Sequence, residues 1–173
     1  VVIAENNPIQ TVARMMPYRR IASIGLKIRL EMSTPVRAAV LTDDGVWHVG
    51  SEWANVLTPG GCSAPIVFSE AGAGARLGEI AMRTYERDEA DRLKFRIIHP
   101  METGLAFTGD GEQIPAYYIE WIEISDAGGK VVDVFTQAAM APDPIITLEV
   151  PELRQSLRIN ARDSEGLEFE SLR

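Results

Sequence analysis

Residues 93–97 read Leu93-Lys94-Phe95-Arg96-Ile97, so that three apolar side chains are separated by two basic ones. A period of two is typical of a β-strand with one buried face and one solvated face. Tyr118–Ile124 is apolar on much of both faces, as a central strand would be, and a turn at 126–129 leads from it into Val131–Phe135. These three stretches predict an antiparallel sheet.

The same pattern recurs on both sides of this centre. The other predicted strands are Leu26–Leu30, Val36–Thr42, Val46–Val49, Ile145–Val150, Leu157–Ala161 and Leu167–Glu170. The last part of the chain thus has about seven short strands, the number of an immunoglobulin-like sandwich. The first part has about five, too few to close that fold comfortably. We expect an all-β protein of two immunoglobulin-like antiparallel β-sandwich modules, the first incomplete at its N-terminus.

Charge divides the chain at the same place. Residues 1–62 hold six basic and five acidic side chains, whereas residues 76–173 hold 11 and 19. The stretch between them is rich in Ala and Gly, without a sustained period, which favours a mobile linker. We therefore predict a first module over 1–62, a linker over 63–78 and a second module over 79–173.

Composition excludes several classes of protein. A net charge of −8 argues against a nucleic-acid binder, which needs a basic face. No apolar run approaches the roughly 20 residues of a membrane-spanning helix, so we expect a soluble chain. One cysteine precludes an internal disulfide, and with only two histidines a Cys/His zinc site is not expected. No glycine-rich phosphate loop precedes a helix, and we expect no cofactor and no metal.

Cys62 is the candidate reactive residue. Gly60 and Gly61 precede it without side-chain bulk, and Pro59 and Pro65 bracket the segment and oppose regular strand pairing. No apolar neighbours mark a core position, so we expect an exposed thiol. Such a thiol reacts when it ionises, with an unperturbed pKa of about 8.5.

The two histidines give weaker signals. A Cys62 hydrolase would need His48 or His99 as its base, but His48 lies in a predicted hairpin and the glycines around Cys62 oppose a rigid site. His99 opens a motif that follows the 93–98 strand, and we expect this motif to have a structural or interface role rather than to bind metal. Its members are His99, Pro100, Met101, Glu102, Thr103 and Gly104.

Both modules resemble one family of sulfur-oxidation proteins. The segments 28–30, 33–40 and 45–48, together with Gly60-Gly61-Cys62, resemble the last half of SoxY. SoxY is the sulfur-carrier subunit of the periplasmic thiosulfate-oxidising system. The segments 95–104 and 114–119 resemble SoxZ, its partner. The order resembles the fused SoxYZ-like carriers, some of which are associated with quinoprotein dehydrogenases.

The resemblance implies packed immunoglobulin-like sandwiches and a periplasmic location. It also implies that Cys62 holds sulfur intermediates covalently, with Gly60 and Gly61 as its arm, while separate enzymes act on them. It assigns no chemistry to the motif at 99–104. In SoxY the cysteine arm ends the chain, whereas here the chain continues. The part that resembles SoxY lacks its opening strands, so we expect either that the chain is a fragment or that the second module covers the exposed edge. An uncovered edge would favour a homodimer or strand exchange.

We therefore expect a carrier without turnover of its own, which presents a persulfide or S-thiosulfonate on Cys62 to sulfur-oxidising enzymes or a quinoprotein dehydrogenase. One alternative is a non-catalytic adaptor for a periplasmic quinoprotein dehydrogenase, with Cys62 incidental. Another is a thiol hydrolase that uses His48 or His99.

Overall fold

A computed structural model of the chain describes residues 1–65 and 76–173. Most of the predicted linker, 66–75, lies outside the described residues. None of the described segments is a helix with the length and hydropathy that a membrane crossing requires.

The described residues form twelve β-strands in two antiparallel sheets. In chain order they are β1 (Val2–Ala4), β2 (Thr11–Pro17), β3 (Ser23–Leu26), β4 (Thr34–Leu41), β5 (Trp47–Ala54), β6 (Ile80–Tyr85), β7 (Asp91–Ile97), β8 (Ile119–Asp126), β9 (Gly129–Thr136), β10 (Ile145–Val150), β11 (Arg158–Asp163) and β12 (Glu168–Leu172). The eight-stranded sheet has the order β12-β11-β8-β9-β2-β1-β4-β5, and the four-stranded sheet has the order β3-β10-β7-β6.

Both sheets contain strands from both parts of the chain. In the larger sheet β2 pairs with β9, from Ala13 opposite Thr136 to Pro17 opposite Val132. In the smaller sheet β3 pairs with β10. The all-β, immunoglobulin-like class is confirmed, and the strands of the two predicted modules are joined in both sheets. The five strands of the first part are too few to bury their own apolar faces, and they do so by extending the sheets of the second part.

The core lies between the sheets and follows the predicted alternation. In β7 the side chains of Leu93, Phe95 and Ile97 are buried and those of Lys94 and Arg96 are exposed. Strands β8 and β9 of the other sheet, and β10 beside β7, contribute buried β-branched and leucine side chains to the same core. A side-chain period of two thus places every second residue of β7 in one apolar layer.

Several local predictions differ from the structure. The predicted strand 26–30 ends at Leu26, after which Ile28 makes only an isolated bridge to Met140. Strands β1, β2 and β6 were not predicted, because their short or mixed sequences lack a clear alternation. Between β6 and β7 the chain forms a charged loop over residues 86–90. Residues 27–31 leave the sheet because Arg29 turns inward, where it satisfies buried carbonyl groups.

Candidate functional site

Cys62 lies in a tight turn that follows the β5 strand. The Ala64 N–H donates to the Gly60 carbonyl oxygen at 2.9 Å, which closes the turn. Gly60 has a φ of 100°, a conformation that favours glycine. Gly61 packs against Leu30 so closely that a Cβ would overlap the Leu30 carbonyl oxygen. Each glycine of the predicted arm thus has a local reason to be glycine, one for its dihedral angle and one for its close packing.

Glu31 holds this turn from the neighbouring segment. One carboxylate oxygen accepts the Cys62 N–H at 2.8 Å and the Ser63 N–H at 3.1 Å. The other accepts the Ser63 hydroxyl at 2.7 Å. The Ser63 hydroxyl bond and these backbone N–H groups lower the pKa of Glu31, against a smaller opposing effect of burial. The ionised carboxylate is therefore the form that anchors the turn.

Thr103 joins the same turn to the motif at 99–104. Its Oγ1 donates to the Cys62 carbonyl oxygen at 2.6 Å and accepts the Leu105 N–H at 3.1 Å. The side chain is buried, so these bonds are shielded from water. The two motifs that resemble SoxY and SoxZ therefore meet at one hydrogen bond.

The expectation of an exposed thiol is wrong for this structure, because Cys62 is fully buried, with 0% of its surface accessible. The turn folds back onto the 29–31 segment and onto Thr103, contacts that local sequence does not reveal. Burial raises the pKa of the Cys62 thiol; the Arg29 charge lowers it, and Glu31 raises it further. In this state the thiol is protonated and shielded, the opposite of an activated nucleophile.

Arg29 is a buried cation beside the thiol. Its guanidinium donates to the carbonyl oxygens of Met140 at 3.1 Å and Ala138 at 2.8 Å, and also to that of Met101. Three buried backbone acceptors are thereby satisfied by one side chain. Burial raises the pKa of Glu102, and the positive charge of Arg29 opposes this shift. Arg29 is thus the positive charge that lowers the pKa of both Cys62 and Glu102.

Asn7 supports both of these residues through their backbone. Its amide donates to the Arg29 carbonyl oxygen at 2.9 Å, and its side-chain oxygen accepts the Glu31 N–H at 2.9 Å. Asn7 is itself buried. The 29–31 segment therefore keeps its shape without belonging to a strand.

His99 does not contact the thiol by any hydrogen bond or ion pair in the described part of the chain. Its Nδ1 accepts the Met101 N–H at 3.1 Å, and its Nε2 lies 3.6 Å from Asp163 Oδ2, too far for a hydrogen bond. Complete burial lowers its pKa to about 4, outweighing the opposing effect of Asp163. His99 is neutral at pH 7 and packs against the Tyr117 ring at 4.5 Å.

The other members of the motif shape the backbone around it. Met101 has a φ of 55°, and its sulfur accepts the Ile119 N–H at 3.4 Å. Glu102 pairs through its backbone with Tyr117. Gly104 has a φ of 79° and lies against Ala116, while Pro100 is buried.

His48 lies far along the sequence from this motif, in β5, where it is opposite Val40 and exposed. Neither histidine is hydrogen-bonded to Cys62 among the residues that the structure describes, so no Cys/His pair is formed there. Within the same residues no three His, Cys, Asp or Glu side chains are grouped to hold a metal ion.

Sequence reasoning missed four residues of this site, namely Asn7, Arg29, Glu31 and Thr103. Arg29 was on the solvent side of the predicted strand 26–30, Glu31 followed the end of that strand, and Thr103 was identified only as part of a motif. The alternation of that predicted strand is unbroken in the sequence, so it gave no signal that Arg29 turns inward. Their long-range partners lie between 22 and 111 residues away in sequence, and only the fold brings them together.

Comparison with known families assigns the two parts separately. Residues 80–172 match the family described as sulphur oxidation protein SoxZ. Residues 1–62 match the family described as sulfur oxidation protein SoxY, a match that ends at Cys62 itself. No curated protein matches the chain.

Proposed function

This chain belongs to the SoxY and SoxZ families as a fusion of the two, and from that premise we propose that Cys62 carries a sulfur-containing intermediate as a covalent adduct. Both families are carrier proteins of sulfur oxidation and are generally not catalytic. The proposal adds that the attachment atom is the Cys62 Sγ, that the step takes place in the periplasm, and that separate enzymes load and process the adduct.

The observation that carries the proposal is the way in which the turn of Cys62 is held. Residues 60–65 belong to no strand, and their polar anchors are the Glu31 and Thr103 contacts together with the Gly60 N–H bond to the Glu31 carbonyl oxygen at 2.8 Å. Each net hydrogen bond is worth about 1 kcal/mol. Local opening at the cost of a few such bonds lies well within the range of native-state fluctuations.

Opening would change the chemistry of the thiol. Release from the buried site removes the largest cause of its raised pKa, so the thiolate becomes accessible near its ordinary range. The glycines of the arm present little bulk beside the sulfur, which suits entry into a narrow active site of a partner. The closed state would protect a thiol or a small adduct between partners.

The loading step balances as a two-electron oxidation. With thiosulfate, the Cys62 thiol gives an S-thiosulfonate as one S–S bond forms, and one proton and two electrons leave. The electrons pass to an electron-accepting partner enzyme or, in a test, to a chemical oxidant. With hydrogen sulfide anion in place of thiosulfate, the same balance gives a persulfide.

The burial of Cys62 favours one other candidate function, a non-catalytic adaptor for a periplasmic quinoprotein dehydrogenase in which the thiol is incidental. An adaptor would bind its dehydrogenase equally well with serine at position 62. It would also show no adduct under any condition in which a model thiol reacts.

The test uses tetrathionate, which needs no separate oxidant. Attack of the Cys62 thiolate on an inner sulfur of tetrathionate forms the S-thiosulfonate and releases thiosulfate as the leaving group. We expect intact mass spectrometry to show the gain of one S2O3 group, which maps to Cys62, reverses with reductant and is absent in Cys62→Ser. A denatured sample provides the fully accessible reference rate.

The proposal fails if the native protein stays unmodified while the denatured protein is labelled to completion. It also fails if the adduct forms but a sulfur-oxidising partner that accepts other carriers neither binds nor unloads it. A native rate that is slower than the denatured rate, yet complete, would support a shielded carrier.

A further inference from the structure

Strand β5 ends the larger sheet and carries a row of exposed apolar side chains. In the described part of the chain it pairs with β4 only. Trp47, Val49 and Trp53 are each more than half exposed, as is Leu41 on β4 opposite Trp47. A long apolar edge strand is a template for pairing with another chain, and folded proteins usually cover or blunt it.

Along β5 the backbone N–H and C=O groups of successive residues point alternately toward β4 and toward the open edge of the sheet. Thr42 N–H donates to the Val46 carbonyl oxygen at 3.0 Å, so even-numbered residues of β5 bond to β4. Ala39, opposite Val49, instead exchanges both its backbone groups with Val1 on the other side. The N–H and C=O groups of the odd-numbered residues of β5 therefore point outward, and these are Trp47, Val49, Ser51 and Trp53.

The sequence of β5 is self-complementary about Gly50. Residues 47–53 read Trp-His-Val-Gly-Ser-Glu-Trp, with a tryptophan at each end and His48 and Glu52 symmetrically placed. We propose that β5 pairs antiparallel with β5 of a second copy of this chain, about a two-fold axis that passes between the two Gly50 residues. The occupant of this edge is thus the protein itself.

In this register the Trp47–Trp53 and His48–Glu52 pairs are complementary. Each Trp47 lies opposite Trp53 of the other copy, and each Val49 lies opposite Ser51 of the other copy. The outward-pointing backbone N–H and C=O groups of these four residues form the hydrogen bonds between the two strands. On the other face each His48 lies opposite Glu52 of the other copy, where imidazole and carboxylate are complementary. Aromatic and opposite-charge pairs across strands each stabilise pairing by about 0.2–1 kcal/mol. The two-fold axis makes the interface isologous, the commonest kind in soluble dimers.

Glycine at position 50 fits this arrangement and also provides a probe. The Gly50 pair would be of the non-hydrogen-bonded type, with Cα atoms about 4.5 Å apart, within the range that a disulfide spans. A side chain at this position meets nothing within 4 Å in the protomer, and its φ lies outside the region reserved for glycine.

The first experiment combines sedimentation velocity with cross-linking, in a Cys62→Ser background that removes the native thiol. We expect a reversible monomer–dimer equilibrium, and rapid formation of an intermolecular disulfide in Gly50→Cys under mild oxidation. His48→Cys is the matched control on the same strand. Its two copies would lie roughly 13 Å apart, four residues out of register, and should not cross-link.

A charge exchange tests the register independently. His48→Glu places two glutamates opposite each other and should weaken the dimer several-fold, whereas His48→Glu combined with Glu52→Lys should restore its dissociation constant. Val49→Pro removes only an outward N–H and should give a monomer with an unchanged circular dichroism spectrum.

A monomer at all concentrations up to about 100 μM, well above the range of most specific complexes, would overturn the proposal. A monomer would overturn the proposal whatever else covers this edge, whether another segment of the same chain or a different protein. A dimer in which His48→Cys cross-links and Gly50→Cys does not would overturn the register. None of these outcomes depends on the chemistry of Cys62.

Discussion

The Thr103 hydroxyl donates a 2.6 Å hydrogen bond to the Cys62 carbonyl oxygen across 41 residues of sequence. It ties the turn that carries the thiol to the motif that begins at His99. Because the bond is buried, its strength is one of the contributions that would control how often the turn opens in the proposed function.

Loss of the Thr103 hydroxyl should open the turn more often. Thr103→Val keeps the shape of the side chain but leaves the Cys62 carbonyl without its donor, at a cost of about 1 kcal/mol. We expect the rate of Cys62 labelling by a maleimide to rise about fivefold. Thr103→Ser retains the hydroxyl and serves as the control, and equal rates in both variants would contradict the role of this bond.

Acidification should release the turn through Glu31. Because its hydrogen bonds lower the pKa of Glu31, the stabilisation is present above the unfolded-state pKa and is lost as the pH falls through the folded-state pKa. We expect Cys62 labelling by 4,4′-dithiodipyridine, divided by the rate for a free peptide, to rise on acidification. In Glu31→Gln the normalised rate should be high already at pH 7. A wild-type rate ratio that does not change with pH would reject this anchor.

Arg29 should contribute both stability and thiol electrostatics, and two substitutions separate these effects. Arg29→Met leaves three buried carbonyl oxygens without a donor and should reduce the free energy of unfolding by about 2–5 kcal/mol in urea titrations. It should also raise the pKa of Cys62, followed by thiolate absorbance, because the positive charge is lost. Arg29→Lys should destabilise the fold with a smaller change in that pKa. An unchanged thiol pKa in Arg29→Met would show that the charge does not reach Cys62.

Burial of neutral His99 should make the fold sensitive to acid. Its pKa is about 4 when folded, below the unfolded value of about 6.5, so the unfolded state binds more protons between these values. Stability should therefore fall as the pH drops from about 6.5 to 4, by on the order of 3 kcal/mol. His99→Asn keeps an acceptor for the Met101 N–H without a titrating group. The free energy of unfolding is measured against pH for the wild type and for His99→Asn. The same pH dependence in both proteins would show that folding does not change the pKa of His99, which would contradict the prediction.

Gly61 should not tolerate a side chain. In Gly61→Ala the new Cβ would overlap the Leu30 carbonyl oxygen, a backbone atom that cannot rotate away. We expect the turn to shift off Leu30, with faster labelling of Cys62 and a loss of stability of about 1–3 kcal/mol, as in other overpacked sites. Gly109→Ala is the matched control, since a Cβ there meets nothing within 4 Å. Equal labelling in the two variants would mean that the turn does not rest on Leu30.

Much of the fold could be predicted from local sequence. Six of the seven strands of the second part, all except β6, follow from alternation such as that of Leu93, Phe95 and Ile97, since a period of two forces these side chains onto one face. Strand β2 escaped prediction because its outer residues are a mixture of Arg and Met whose environment depends on pairing with β9. Sheet order could not be predicted, because alternation says which face is buried but not which strand lies beside which.

The candidate site divides in the same way. The sequence by itself determined that Cys62 lies on a glycine turn outside the strands, because Gly60 and Gly61 impose conformations and contacts that other residues resist. Only the tertiary structure decided that this thiol is buried. Its shielding comes from Arg29, Glu31 and Thr103, which lie in segments remote along the chain, and hydrogen bonds between such segments exist only once both sheets have formed.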